Sequence, residues 1–408
     1  MSNWPAIWAI FAGGLVAGAY MTKVAPALPG LRGELGLTLV ESGLIATMFN
    51  LMGMLVGMIA GVLCDRFGHR RLALAGLVIL CAAGALGAFA GGFTTLLLSR
   101  FLEGVGFIVF IVSGVSLMSA AAATPADRAK ALGLWSAYMP TGGALALFAA
   151  PALIAAWGWR GLWFALSLLA AAGAVTLWRL VPASPHGQVS SLRLVVESLA
   201  NRGNLVMAAL FALYVAQWTS IMVWLPTFLI DEHRLPAGAA ALATALYVLI
   251  NAPANLTGGW LLARGVPRGA LIITGALIAA LCEVGMLTDA LPPAARYVLV
   301  LAFSFCAGVI PASVFSGLPL HARTPQHIGT GNGIVMQASQ IGQFLAPLAL
   351  AWIATHFGWH ANLWALLAFA AGTVACGVAI GAIENRIKSC TSTSAKSARA
   401  TACRTRTT

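Results

Sequence analysis

Apolar runs recur along this chain, separated by short polar breaks. They fall at about 5–24, 42–63, 72–91, 94–119, 130–156, 160–180, 204–230, 238–263, 269–289, 297–320, 329–354 and 361–383. Each is near the ~20 residues that cross a bilayer as a helix. The pattern predicts an all-α membrane protein with twelve transmembrane helices, here called spans 1 to 12. The longest internal break, about 181–203, holds Pro182, Pro185, Gly187, Ser190 and Ser191 and reads as a linker. The expected organisation is a six-helix bundle over 1–181, a cytoplasmic linker over 182–203 and a second bundle over 204–384. A disordered cytoplasmic tail over 385–408 follows, because that segment is too polar to bury itself.

Composition agrees with the pattern. Of 408 residues 60% are hydrophobic and only 8% charged, and mean hydropathy is +0.90. A soluble domain carries roughly a quarter charged residues. No separate cleavable signal is expected, since the first apolar run has no basic residue before it. The net charge of +12 follows from topology. With both termini cytoplasmic, most Lys and Arg fall in cytoplasmic loops and the tail, as the positive-inside rule requires. Arg32, Arg160, Arg234 and Arg296 fall outside. No nucleic-acid partner is needed, and a bacterial inner membrane is the expected location. The seven cysteines show no metal-ligand spacing, so neither a metal nor a disulfide is expected.

The halves repeat. At an offset of about 200, Gly133 meets Gly333, Gly142 meets Gly342, Gly158 meets Gly358 and Trp159 meets Trp359. At a slightly smaller offset Gly61 meets Gly259 and Arg70 meets Arg268. Matches at nearly one offset in corresponding spans imply duplication into two pseudo-symmetric bundles.

Between spans 2 and 3 lies the densest charge cluster of the first half, Gly61-x-Leu63-x-Asp65-Arg66-x-Gly68-x-Arg70-Arg71. It resembles the signature loop of the major facilitator superfamily. The resemblance implies two parallel six-helix repeats and a loop that latches the halves in one access state. Gly61, Asp65, Arg66, Gly68, Arg70 and Arg71 are the gating residues it implies. The second copy carries Ala263 where the first has Asp65, so the acidic latch residue is not repeated there. In span 4, Arg100-Phe-Leu-Glu103-Gly104 resembles a family motif, with Glu103 where Gln is usual. In span 5, Met139-Pro140-Thr141-Gly142-Gly143 is partly similar to the antiporter motif but lacks its leading glycines, so antiport does not carry over.

A charge inside a membrane is expensive and needs a reason. Arg100 and Glu103 stand three apart and face one another on a helix; they pair either to couple protons or to lock span 4 to a neighbour. Lys23, just before Pro26 and Pro29, is either an anion-attracting charge in the path or a lysine snorkelling to the outer interface. Tyr247, Asn251 and Asn255 form a stripe in span 8. Gln337 and Gln340 share a face of span 11, Tyr214, Gln217 and Trp218 cluster in span 7, and Asn50, Trp135 and Tyr138 lie in spans 2 and 5. These polar residues should face either a wet cavity or another helix. Glu283 lies near the outer end of span 9.

A membrane enzyme is disfavoured: no His-Glu-x-x-His, Gly-x-Ser-x-Gly or clustered carboxylates appear. No phosphate-binding Gly-x-x-x-x-Gly-Lys motif appears either, so no nucleotide or other cofactor is expected. The expected function is secondary active transport of a small solute, proton-coupled, in a monomer within the lipid bilayer. With Glu103 neutralised by Arg100, the cavity is left neutral to positive, which suits a small organic or inorganic anion. The Lys23–Pro29 and Trp224–Phe228 stretches are similar to small-anion porter branches. Proton-driven efflux of hydrophobic compounds is the alternative, and a transporter-like sensor is the alternative of another class.

Overall fold

The structure is a computed structural model. It describes residues 2–404 except 56, 58–66, 125, 126, 128–130, 132, 133, 136, 183–191 and 322–324, and describes the backbone alone at 192–195, 263, 319, 325–329 and 387–404. Gly61, Asp65 and Arg66 of the expected gating loop, and residues 183–191 of the expected linker, lie outside the described residues.

The helices are α1 (Trp4–Thr22), α2 (Val24–Leu35), α3 (Leu39–Met48), α4 (His69–Ala88), α5 (Phe93–Ala121) and α6 (Tyr138–Leu180). After α7 (Leu192–Leu199) come α8 (Arg202–Asp231), α9 (Ala237–Ala263), α10 (Arg268–Met286), α11 (Pro293–Ala307), α12 (Val309–His321), α13 (Pro325–Phe357) and α14 (Asn362–Arg404). The backbone of α14 thus continues into the segment expected as a tail. Helix starts follow local chemistry. Asn3 accepts from the Ala6 N–H at 3.1 Å, and Thr38 and Glu41 form a reciprocal capping box at the head of α3.

Among the described residues ten helices are long and apolar enough to cross a bilayer. The fold is consistent with the expected twelve. Spans 5 and 6 both lie in α6, divided by non-helical backbone at Trp157 and Gly158. Span 2 begins as the short α3 and runs on into residues outside the description. Span 1 is split at Lys23, and α2 carries it beyond its expected end to Leu35.

The duplication is visible in the backbone. Gly36 (φ 64°) corresponds to Arg234 (φ 54°), Gly68 (88°) to Gly265 (87°), and Gly158 (64°) to Gly358 (80°). No other described residue has positive φ. Left-handed backbone is strained for a side-chain-bearing residue, so its recurrence at one spacing marks equivalent helix ends. Close approaches repeat as well. Gly142 lies against the Leu15 carbonyl of α1, and Gly342 against the Ala212 carbonyl of α8. Gly76 meets the Gly106 carbonyl as Gly275 meets that of Cys306.

Packing follows the same repeat. α1 packs on α6 as α8 packs on α13, and α4 lies against α5 and α6 as α10 lies against α11 and α14. Between the halves the main contacts are α3 with α13, α6 with α9, and α2 with α8 and α9. These are spans 1, 2 and 5 facing spans 7, 8 and 11, all expected to border the cavity.

Candidate functional site

The first half buries an ionic cluster. At the junction of α1 and α2 the Lys23 side chain turns inward, fully buried, and its Nζ lies 2.7 Å from Glu103 Oε1. The other Glu103 oxygen takes a short charge-assisted bond from Arg100 Nη1, as the i, i+3 spacing on α5 predicts. Ser99 Oγ adds a longer contact to Oε1 at 3.4 Å. Arg100 also donates from Nη1 to the Tyr20 carbonyl at 3.1 Å and from Nε to the Ile45 carbonyl at 3.2 Å. It thereby joins α5 to α1 and α3. Its Nη2 is buried with no hydrogen-bond partner among the described residues.

Aromatic faces enclose the cations. Lys23 Nζ lies 4.1 Å from the Tyr20 ring centroid and 4.3 Å from that of Trp163. The Arg100 guanidinium lies 4.7 Å from the Phe49 centroid. Such contacts compensate part of the lost hydration of a buried cation. With all three side chains ionised, the cluster holds two cations and one anion. Lys23 does not snorkel to an interface: its exposure is 0%. The sequence paired Glu103 with Arg100 alone because Lys23 lies eighty positions away, on another helix.

The second half holds a neutral network. Tyr214 Oη and Asn251 lie at hydrogen-bonding distance, with Asn251 Nδ2 donating to the hydroxyl at 3.2 Å and to the Ser304 carbonyl at 3.0 Å. Asn255 Nδ2 donates to Asn251 Oδ1 at 2.9 Å. Trp218 Nε1 donates to Ser304 Oγ at 3.1 Å, Ser304 Oγ to the Tyr247 carbonyl at 2.7 Å, and Tyr247 Oη to the Trp218 carbonyl at 2.9 Å. The network ties α8, α9 and α11 together. Of the expected stripe, Tyr247 and Asn251 therefore bond to neighbouring helices, while Asn255 bonds to Asn251 on its own helix.

Other predicted residues sit between the halves. Gln337 Nε2 donates across to the Met54 carbonyl at 2.8 Å. The Gln340 side chain lies against Gly53 and that of Gln337 against Gly57. Asn50 Oδ1, Gln217 Nε2 and Gln340 Oε1 are buried without hydrogen-bond partners among the described residues, and so is Gln343 Oε1, which sequence reasoning missed. Its spacing of three from Gln340 on α13 was the available signal. An unmet buried amide costs about 1–3 kcal/mol, so these atoms are suited to a polar solute or water. Trp135 instead fills a notch made by Gly14 and Gly114, with the Tyr138 ring tilted against it at 4.6 Å between centroids.

Of the loop residues, Gly68 begins α4, and Arg71 is exposed. Arg70 donates to the Val181 and Trp178 carbonyls at the end of α6, at 2.5 and 2.7 Å. Its counterpart Arg268 pairs with Glu384 on α14. Both arginines bind the start of their half's third span to the end of its sixth. At the opposite end Arg32 meets Asp231 across the halves at 3.4 Å, Arg160 pairs with Glu34, and Arg296 lies 3.1 Å from Asp289. Three of the four arginines placed outside by the sequence thus hold carboxylates at one end of the bundle.

Comparison with known proteins adds the lineage. Residues 10–347 match the family model described as Major Facilitator Superfamily. The chain is 28% identical over 353 residues to a probable nitrate/nitrite antiporter NarK1 of Thermus thermophilus, covering 78% of this chain and 77% of that protein. It is 26% identical over 381 residues to a probable sulfoacetate transporter SauU of Cupriavidus necator, covering 83% and 85%. It also matches a methylenomycin A resistance protein of Bacillus subtilis at 28% identity over 160 residues, only 39% of this chain and 33% of that protein. A crystal structure of a bacterial homolog to the human lysosomal transporter Spinster superposes with a TM-score of 0.78 at 16% identity, over 93% of this chain and 96% of that one. These matches, the duplicated backbone and the helix count agree: the chain is an integral membrane transporter of the major facilitator superfamily.

Proposed function

We propose that this transporter moves a small organic or inorganic anion by proton-coupled alternating access. Its substrate would lie between the halves, over 1–181 and 204–384, beside the polar groups of α3, α8 and α13. The observation that carries the reading is the buried Lys23–Glu103–Arg100 cluster, with one more cation than anion and an unused guanidinium nitrogen. In a low-dielectric interior that excess charge favours an anion nearby. Relatives over most of the chain bear names for nitrate, nitrite and sulfoacetate transport, which supports the same class.

In this reading Arg100 and Glu103 respond to the proton gradient, while Asp65 and Arg66 latch the halves at the cytoplasmic end. Both termini face the cytoplasm, the host membrane is a bacterial inner membrane and the working unit is a monomer. Rocking of the halves about the α3–α13 and α6–α9 contacts exchanges access. The test is counterflow and gradient-driven uptake in proteoliposomes, with nitrate, nitrite, a small sulfonate, a small carboxylate and a lipophilic cation as competitors. Competition by at least one anion and none by the cation is expected. Competition by the lipophilic cation alone would replace this reading with efflux of hydrophobic compounds.

A further inference from the structure

A second buried carboxylate lies far from the ionic cluster. Glu283 is on α10, which packs within the second half against α11, α12 and α14. The residue has 0% exposure, and neither carboxylate oxygen has a hydrogen-bond partner among the described residues. Glu103 is the contrast, since it binds two cations and a serine hydroxyl.

We propose that Glu283 is a proton-binding site of this transporter, served from the end of the bundle that carries Arg296. An ionised carboxylate without a partner is among the most expensive groups to bury in a membrane. One bound proton removes that charge. A proton on Glu103 would be tied to the breaking of its two ion pairs, so the two carboxyls would take protons under different constraints. The two carboxyls are therefore chemically unlike, and the isolated one is suited to carrying a proton as a neutral acid.

A largely apolar cavity lies one helical turn from Glu283. Met286, one turn further along α10 on the same face as Glu283, lines a cavity of about 290 Å³. His233, Arg296 and Tyr297 also border this cavity, between α8, α9 and α11. Arg296 donates to the Met286 carbonyl at 2.9 Å and is held by Asp289, so its charge stays at the mouth, away from the carboxyl. The titratable groups around Glu283 are Cys282 beside it on α10, Cys306 on α11 and Tyr247 on α9. On α14, Cys376 lies further along and Glu384 pairs with Arg268 at the opposite end of α10. On α12, His321 sits 3.7 Å from Glu384 at that same opposite end.

Tyr247 also connects this site to the rest of the half. Its hydroxyl bonds to the Trp218 carbonyl, and its own carbonyl accepts from Ser304, which receives the Trp218 indole N–H. A charge appearing at Glu283 would be felt electrostatically at Tyr247, a member of the bonded set that holds α8, α9 and α11. Use of the bound proton in transport rests on the proton-coupled reading above; its binding does not.

Difference infrared spectroscopy on the full chain in lipid tests the binding alone. The membrane sample is stepped between mildly acidic and mildly alkaline buffer, in H2O and in D2O. A protonated-carboxyl carbonyl band that disappears on the alkaline step and shifts in D2O is expected. It should be lost in Glu283→Gln, displaced in frequency in Glu283→Asp and retained in Glu103→Gln. A wild-type protein with no such band, or a band unchanged in Glu283→Gln and Glu283→Asp, would overturn the proposal. Gradient-driven uptake is a separate measurement: if it fails in wild type while the band behaves as expected, coupling is wrong and the site stands.

Discussion

Glu103→Gln is the sharpest perturbation of the ionic cluster. The substitution keeps the shape of the side chain and removes its charge. Two fully buried cations then lose their common counter-ion. A unit pair about 4 Å apart attracts by ~4 kcal/mol at an effective dielectric of ~20. Breaking a buried pair by removing one partner is measured at about 3–5 kcal/mol, and here one change breaks two. Deprotonation of Lys23 limits the loss, because an amine can shed its charge where a guanidinium cannot. We therefore expect about 3–5 kcal/mol of destabilisation from Glu103→Gln. Lys23→Met should cost much less, since it leaves a neutral Arg100–Glu103 pair and refills the space with an apolar chain. The double variant should be more stable than Glu103→Gln alone. Thermal unfolding in one detergent, read as a double-mutant cycle, checks the order. Glu103→Gln as stable as wild type, or a double variant showing simple additive losses, would refute the electrostatic account.

Other perturbations probe separate parts. Lys23→Ala should weaken the apparent affinity for an anionic substrate tenfold or more in proteoliposome uptake, if a pair worth ~1.4 kcal/mol is lost. Gln337→Ala removes the bond across the halves to Met54, worth about 0.5–1.5 kcal/mol; cysteine-accessibility probes should show the population moving away from the arrangement seen here. Gly142→Val and Gly342→Val each force a side chain against a neighbouring helix backbone, so both should lower the yield of folded protein on size-exclusion chromatography. Asp65→Asn should depress transport far more than expression or substrate binding, measured by uptake against surface-normalised protein.

Span count, duplication and the Arg100–Glu103 pairing were legible because each depends on short-range pattern: run length, a constant offset, and three-residue spacing. The hidden features are long-range. Nothing local tells that Lys23 reaches Glu103, since that depends on how α1 and α5 pack against each other. Tyr247, Asn251 and Asn255 show a polar stripe, but periodicity gives only a face and not its neighbour; Ser304, on a helix with little other polarity, takes up much of that stripe. Glu283 lies near the outer end of span 9, as expected, yet neighbouring helices cover it completely, which position along a span does not tell. Arg70 read as part of a latch, and its described bonds fasten helix ends within one half.

The duplication itself helps to separate structural residues from functional ones. Gly76 corresponds to Gly275 and Gly106 to Cys306 through the same backbone contact. At that spacing Arg100 and Glu103 correspond to Val300 and Phe303, both buried. The place of Lys23 falls near Ser220 and Ile221, and the place of Glu283 in the first half is near Gly84. One backbone arrangement is therefore filled by charge in one half and by uncharged side chains, apolar at Val300 and Phe303, in the other. Burying an ion pair gives little or no stability over well-packed apolar residues of similar volume, and the second half shows that the fold accommodates such residues there. Stability alone thus gives no reason for Lys23, Arg100 and Glu103 to occupy that place. In the proposed reading the charges have a functional reason instead: the excess cation would draw an anion towards the seam between halves, and the carboxyls would answer the proton gradient.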